Sequence, residues 1–140
     1  QWSLSVIMQS NMKAILFTTL LLFSINGFAF NWKKVVANSI GDSYYVDINS
    51  IKKSNGLVYY WELGDYLEPI TGSLDNASSS ISKYKVDCGE EKRTWLNDTY
   101  YSQSKGRGRI VEDNSNNIID YPKPKEVRYT LMKFACNNAR

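Results

Sequence analysis

Histidine is absent from the chain, and cysteine and proline are scarce, at two and three residues among 140. The first absence removes the commonest general base and the commonest transition-metal ligand. No Ser-His-Asp or Cys-His arrangement can be assembled, and zinc lacks both imidazole and spare thiolates. What survives for catalysis is carboxylate, lysine or tyrosine chemistry, of which a glycosidase-like carboxylate pair is the form worth testing. Glu62 with Asp65 near a strand end, or Glu90-Glu91 after Cys88, supplies the carboxylates, but no spacing among them is diagnostic. The sequence therefore assigns no catalytic residue, no cofactor and no metal ligand, and points away from an enzyme. A strong charge excess is also missing: 17 basic residues face 14 acidic ones. A balance this close to neutral argues against nucleic-acid binding, although its sign favours weak contact with acidic surfaces.

Long apolar runs are likewise lacking. The longest, Ala14 to Ile25, is broken by Thr18, Thr19 and Ser24 and falls short of the about 20 residues that a membrane span needs. Its setting explains it. Met12-Lys13 precedes it as a charged start, and Gly27-Phe28-Ala29 follows with small residues at the −3 and −1 positions of a cleavage site. The pattern predicts a secretory signal over residues 12–29, cut between Ala29 and Phe30. An uncleaved N-terminal anchor is the competing reading. Residues 1–11 lie upstream of a complete signal, lack an initiator Met and carry no charge, so they read as an upstream extension outside the native protein. No cysteine stands at the first mature position, so a bacterial lipid anchor is not expected. The mature protein is predicted to be periplasmic or secreted, with no stable membrane insertion after cleavage.

Removing the first 29 of 140 residues leaves 111, enough for one domain and one modest core. Only Lys13 is lost from the charged set, so the mature balance is 16 basic against 14 acidic residues. Cys88 and Cys136 remain, and an even pair sent to an oxidising compartment reads as a disulfide. The closed loop of about 49 residues corresponds to roughly 4 kcal/mol at the upper end of the chain-entropy model. Two free or intermolecular thiols are the alternative.

Along residues 30–140 no repeat or low-complexity linker appears. Strands are predicted at Trp32 to Ala37, Tyr44 to Ile48 and Leu57 to Leu63, with Asn49 to Lys53 as a helical turn before the turn marker Asn55-Gly56. Leu57, Tyr59, Trp61 and Leu63 share one face of the third strand, and Val58, Tyr60 and Glu62 the other. Pro69, Gly72 and Ser78 to Ser80 read as a loop. Ile81 to Cys88 alternates, placing Tyr84, Val86 and Cys88 on the core side and Lys83, Lys85 and Asp87 opposite. Arg93 to Tyr101 and Arg109 to Glu112 are further strands, separated by a turn at Gly106 to Gly108 and followed by a polar loop at 113–117. Lys125 to Cys136 changes to helical period, with Pro124 suited to its first position. Val127, Leu131 and Phe134 form one stripe and Tyr129, Met132 and Cys136 a nearly opposite one. Both are buried if the helix lies between the sheet and a loop or partner. A homodimer is compatible with that pattern. The expected fold class is α+β: an antiparallel sheet of about six strands with a C-terminal helix tethered by one disulfide.

The order of these residues resembles the surface-adhesin protein E-like family of exported bacterial domains. The likeness runs over nearly the whole of residues 30–140. It begins at Trp32, continues through Tyr44-Tyr45-Val46-Asp47, Ile51-Lys52-Lys53, Val58 to Leu63 and Val86-Asp87-Cys88, and ends in Tyr100-Tyr101-Ser102 and a Pro-led helix finishing at Cys136. The resemblance implies an antiparallel sheet with a C-terminal helix and a Cys88–Cys136 bridge. It also implies binding of host extracellular-matrix or serum proteins. Two departures stand out: the missing lipid-anchor cysteine, and Tyr121-Pro122-Lys123-Pro124 where the family commonly has Pro-Gly-Ser before the helix.

The leading function is accordingly an exported binding module contacting a host matrix protein or an envelope partner. An inhibitor of a secreted enzyme such as lysozyme, or a carboxylate hydrolase, is the alternative. The candidate binding surface is Lys83, Lys85, Lys92 and Arg93, with Lys105, Arg107 and Arg109 as neighbours. The competing reading of those cations is a solvated sheet face and a basic turn. The pairs Tyr44-Tyr45, Tyr59-Tyr60 and Tyr100-Tyr101 each send one ring to either side of a strand, so one set is core and the other a candidate platform.

Overall fold

The structure is a computed structural model that describes residues 29–72 and 76–140. The extension at 1–11 and all but the last residue of the signal segment lie outside the described residues. Seven strands are formed: β1 (Trp32–Ala37), β2 (Ser43–Asp47), β3 (Lys52–Ser54), β4 (Leu57–Ile70), β5 (Ala77–Asp87), β6 (Lys92–Gln103) and β7 (Arg107–Asp120). A 3-10 turn (Ser104–Gly106) joins the last two, and helix α1 (Val127–Asn137) ends the fold. The sheet order is β1-β2-β4-β5-β6-β7, every pairing antiparallel, with the short β3 paired to β4. This is the expected α+β architecture.

Period-two alternation decides which side chains the helix covers. Val46, Val58, Tyr60, Tyr84 and Val86 share the face that meets Leu131, Met132 and Ala135 of α1. Leu131 belongs to one helical stripe and Met132 to the other, so the sheet contact runs between the two and takes a residue from each. Val127, Tyr129, Phe134 and Cys136 pack at its margins, half-buried. One sheet surface therefore accounts for both stripes. Removing any of these large buried side chains exposes a site whose apolar burial is worth roughly 1.5–3 kcal/mol. Cys88 and Cys136 are bridged, with Cα atoms 6.0 Å apart, fixing the end of the helix to the end of β5.

The opposite face has a cap of its own. The 3-10 turn folds over Leu63, Ile81 and Ser79, all nearly inaccessible. The Lys105 amide donates to Asp65 Oδ1 at 2.9 Å and the Gly106 amide to Ser79 Oγ at 2.9 Å. Gly106 has φ +68°, and a Cβ there would stand 2.6 Å from Ile81 Cδ1, so the turn is close enough to require glycine. The helix thus covers one half of one face and the turn the diagonal half of the other.

Four local expectations are corrected. Ser78 to Ser80 is part of β5, because Ser79 and Ser80 are small enough to sit beneath the turn and beneath Tyr66. Residues 113–117 continue β7, a strand at the sheet edge where a polar sequence still pairs on one side with β6. Asn49 to Lys53 holds a turn at Asp47–Ser50 and then β3, which returns through Asn55-Gly56, both at positive φ, to pair with β4. The helix starts at Val127 after Glu126 rather than at Pro124, since Lys125 adopts φ +79° and breaks the helical path.

Candidate functional site

The half of the sheet opposite the helix and away from the 3-10 turn carries the lysines. Tyr59 pairs with Lys85, Trp61 with Lys83 and Asp87 with Lys92 across neighbouring strands, so Tyr59, Trp61, Lys83, Lys85 and Lys92 point to the same side. Lys52 joins them from β3, opposite Tyr59. The buried neighbours Tyr84 and Val86 force this orientation on Lys83 and Lys85, as the alternation of the strand predicts. Lys83 Nζ lies 5.6 Å from the centre of the Trp61 ring. Phe30 stacks on Trp32 at 4.7 Å and meets Trp61 edge-on at 6.1 Å, extending the aromatic surface toward β1. Among the described residues, Lys52, Lys83, Lys85 and Lys92 form no ion pair. Asp87 faces the same side, and its Oδ1 accepts from the Glu90 amide.

Arg93 does not join this surface. It stands opposite Val86, on the helix face, and is 6% exposed. Its Nε and Nη2 donate to the two oxygens of Asp120, and its Nη1 donates to Glu62 Oε2 at 3.1 Å. The guanidinium also lies 4.1 Å over the Tyr84 ring. Tyr60 Oη donates to the same Glu62 oxygen at 2.6 Å. Burial pushes the Glu62 carboxyl up, while Arg93 and the Tyr60 hydroxyl pull it back. Burial, then the Glu62 charge, holds the Tyr60 hydroxyl well above its ordinary value, so it remains a donor. Arg128 at the start of α1 reaches Asp120 at 2.8 Å and also Glu126, extending the network to the helix.

Glu62 is thus occupied by its partners, and Asp65 projects from the other side of β4 toward the 3-10 turn, so the two carboxylates are not brought together. Lys105 turns over the Tyr45 ring at 3.9 Å, and Arg107 bonds back to the Ser104 carbonyl at the hairpin end. Of the tyrosine pairs, Tyr60 is core; Tyr44 and Tyr100 share its side, and Tyr45, Tyr59 and Tyr101 face the other.

On the helix face beyond α1, Tyr44, Tyr66 and Tyr100 cover Gly64, Ser80 and Asp98. Here the polar groups answer one another: Tyr66 Oη meets Ser80 Oγ at 2.6 Å, and Asn116 donates to Asp98 at 2.8 Å. Burial pushes the Tyr66 hydroxyl up to about 12. A shallow cleft of about 480 Å³ at Tyr44, Glu62, Tyr84 and Arg128 opens beside this row. Its innermost charges, Glu62 and Arg93, are already paired with one another.

Sequence reasoning placed Lys83, Lys85 and Lys92 together but did not join them to Tyr59 and Trp61. The Asn55-Gly56 turn sets Lys52 against Tyr59 and the short Gly89 turn sets Lys92 against Asp87, but the Tyr59–Lys85 and Trp61–Lys83 pairs follow from the β4–β5 register, which neither turn sets.

No curated protein matches the chain. Among solved structures, that of Haemophilus influenzae protein E aligns with a TM-score of 0.61 at 17% identity, covering 80% of this chain and 88% of that one. A second crystal form of the same protein gives 0.59 at 18% identity, covering 80% and 91%. Protein E from non-typeable Haemophilus influenzae gives 0.53 at 17%, covering 80% and 79%. At such identities the likeness speaks to fold. The family model of surface-adhesin protein E matches residues 32–137, which takes in every strand and the helix. The chain belongs to the surface-adhesin protein E family.

Proposed function

We propose that the chain is an exported, adhesin-like binding module that holds a protein of the host matrix or serum on its lysine–aromatic face. The observation that carries this reading is the set of cations without an ion pair among the described residues, Lys52, Lys83, Lys85 and Lys92, beside Tyr59 and Trp61 on a half-sheet that no described element covers. Membership of an adhesin family supports a protein partner, and the disulfide suits a protein that matures in the periplasm or outside the cell. Cleavage after Ala29 adds to the face, because the new α-ammonium of Phe30 would sit where that ring stacks on Trp32 and Trp61.

The test immobilises purified matrix and serum proteins and measures binding of the exported protein and of a Lys83→Glu/Lys85→Glu variant. Binding by the first and its loss in the second, with unchanged circular dichroism, is expected. Capture of an envelope protein or a secreted enzyme instead, with no matrix binding, would replace adhesion with an envelope or inhibitory role.

A further inference from the structure

The lysine face is not a uniform layer of charge. Two depressions lie on it, one of about 300 Å³ and one of about 240 Å³. Tyr59 and Trp61 line the first, with Lys52 and Lys83 as its cations. Leu57 and Ile119 line the second, with Lys85, Lys92 and the carboxylate of Asp87, which stands opposite Lys92. Each is at or below the lower end of the about 300–1,000 Å³ that small-molecule sites occupy, and is sized for a single large side chain. Each also sets two ammonium groups beside aromatic or aliphatic side chains, and Asp87 leaves the second less positive than the first. Lys83 and Lys85 are alternate residues of one strand, so their Cα atoms stand roughly 6.5–7 Å apart. Alternate side chains of any extended segment laid along the sheet repeat at that same spacing.

We propose that this face takes an extended acidic segment of a partner protein in which Asp or Glu residues are interspersed with large apolar side chains. The inference rests on the binding-module reading and names the chemistry of the partner. Carboxylates would meet the four ammonium groups, and apolar side chains would fill the floors at Trp61 and Ile119. A polyanion without apolar groups, such as a sulfated polysaccharide, uses only the cations and leaves both floors wet. The Lys83–Trp61 contact keeps one cation beside the aromatic floor, so charge and apolar contact are offered together.

The probes are a synthetic 12-residue peptide of interspersed Glu, Leu and Phe, an oligo-glutamate of equal charge, and heparin. Binding of each to the disulfide-intact exported protein is measured by titration calorimetry at low and physiological salt. The mixed peptide should bind at least about tenfold more tightly than oligo-glutamate and retain part of its affinity as salt rises, since only the ionic share is screened. Lys83→Glu/Lys85→Glu should weaken both peptides. Trp61→Ala and Ile119→Gln should weaken only the mixed one; Ile119 is 49% exposed, so its replacement leaves the fold intact even where the tryptophan change does not. Heparin or oligo-glutamate binding as tightly as the mixed peptide, or no binding of that peptide, overturns the proposal. If matrix protein is still bound and the mixed peptide neither binds nor competes, the binding-module reading stands and only the acidic-apolar assignment falls.

Discussion

The Arg93 guanidinium is divided between two carboxylates and the face of an aromatic ring, and each of these partners comes from a different strand. Taking a charge out of water is costly, and it is tolerated here because each of the three Arg93 nitrogens donates to a carboxylate. Arg93→Ala would leave Glu62 charged and buried with only the Tyr60 hydroxyl to answer it. Urea denaturation should then show a loss of about 3–5 kcal/mol, the usual consequence of removing one partner of a buried pair. Arg93→Lys should recover only part of this, because one ammonium cannot fork across Asp120 while reaching Glu62. A loss below about 1 kcal/mol for the alanine variant, the range of exposed pairs, would show that water enters the network. This role was hidden in the sequence because Lys92 and Arg93 read as one basic dipeptide. A sheet sends neighbours to opposite faces, and the turn from Cys88 to Glu91 sets which neighbour goes where.

At the scale of elements, α1 is fastened at both ends, by Arg128 to Asp120 at its start and by Cys136 to Cys88 near its finish. Between those ends Leu131, Met132 and Ala135 hold it to the sheet, but it has little stability of its own: no side chain caps its first turn, and an isolated helix of 11 residues is marginal in water. Cys136→Ser should therefore cost about 2–5 kcal/mol. It should also speed amide exchange at Leu131 to Ala135 more than in β4 and β5, which hold one another through their ladder. Equal exchange in both regions would mean that the helix and sheet unfold as one unit whether or not the bridge is present. The bridge, the helix and the alternation of β5 were legible because hydrophobic period and cysteine count report them directly. The strand character of Ser78 to Ser80 and of residues 113–117 was not. Serine and asparagine carry turn statistics, whereas these are strand residues because of what packs above them: the Gly106 turn over Ser79, Tyr66 over Ser80, and β6 along β7.

Across the whole molecule, the near-neutral balance conceals an uneven distribution. The acidic side chains Glu62, Asp120 and Glu126 are bound to arginines on the helix side, while among the described residues the four lysines on the opposite half-sheet form no ion pair and share that face with Asp87. Association with a matrix partner should therefore depend on where charge sits more than on its total. Two variants of equal net charge separate these effects: Lys83→Glu/Lys85→Glu on the lysine face, and Lys123→Glu/Lys125→Glu in the exposed segment before α1. Exposed charges act over a Debye length of about 8 Å at physiological salt, so only charges beside the docking surface steer the encounter there. Stopped-flow or surface-plasmon measurements should show the first variant associating more slowly by about tenfold or more at low salt, with the difference narrowing as salt rises. The second should follow the parent protein at physiological salt. Equal slowing of both variants would assign the attraction to net charge alone. Slowing by the second variant only would move the docking surface to the helix side of the sheet.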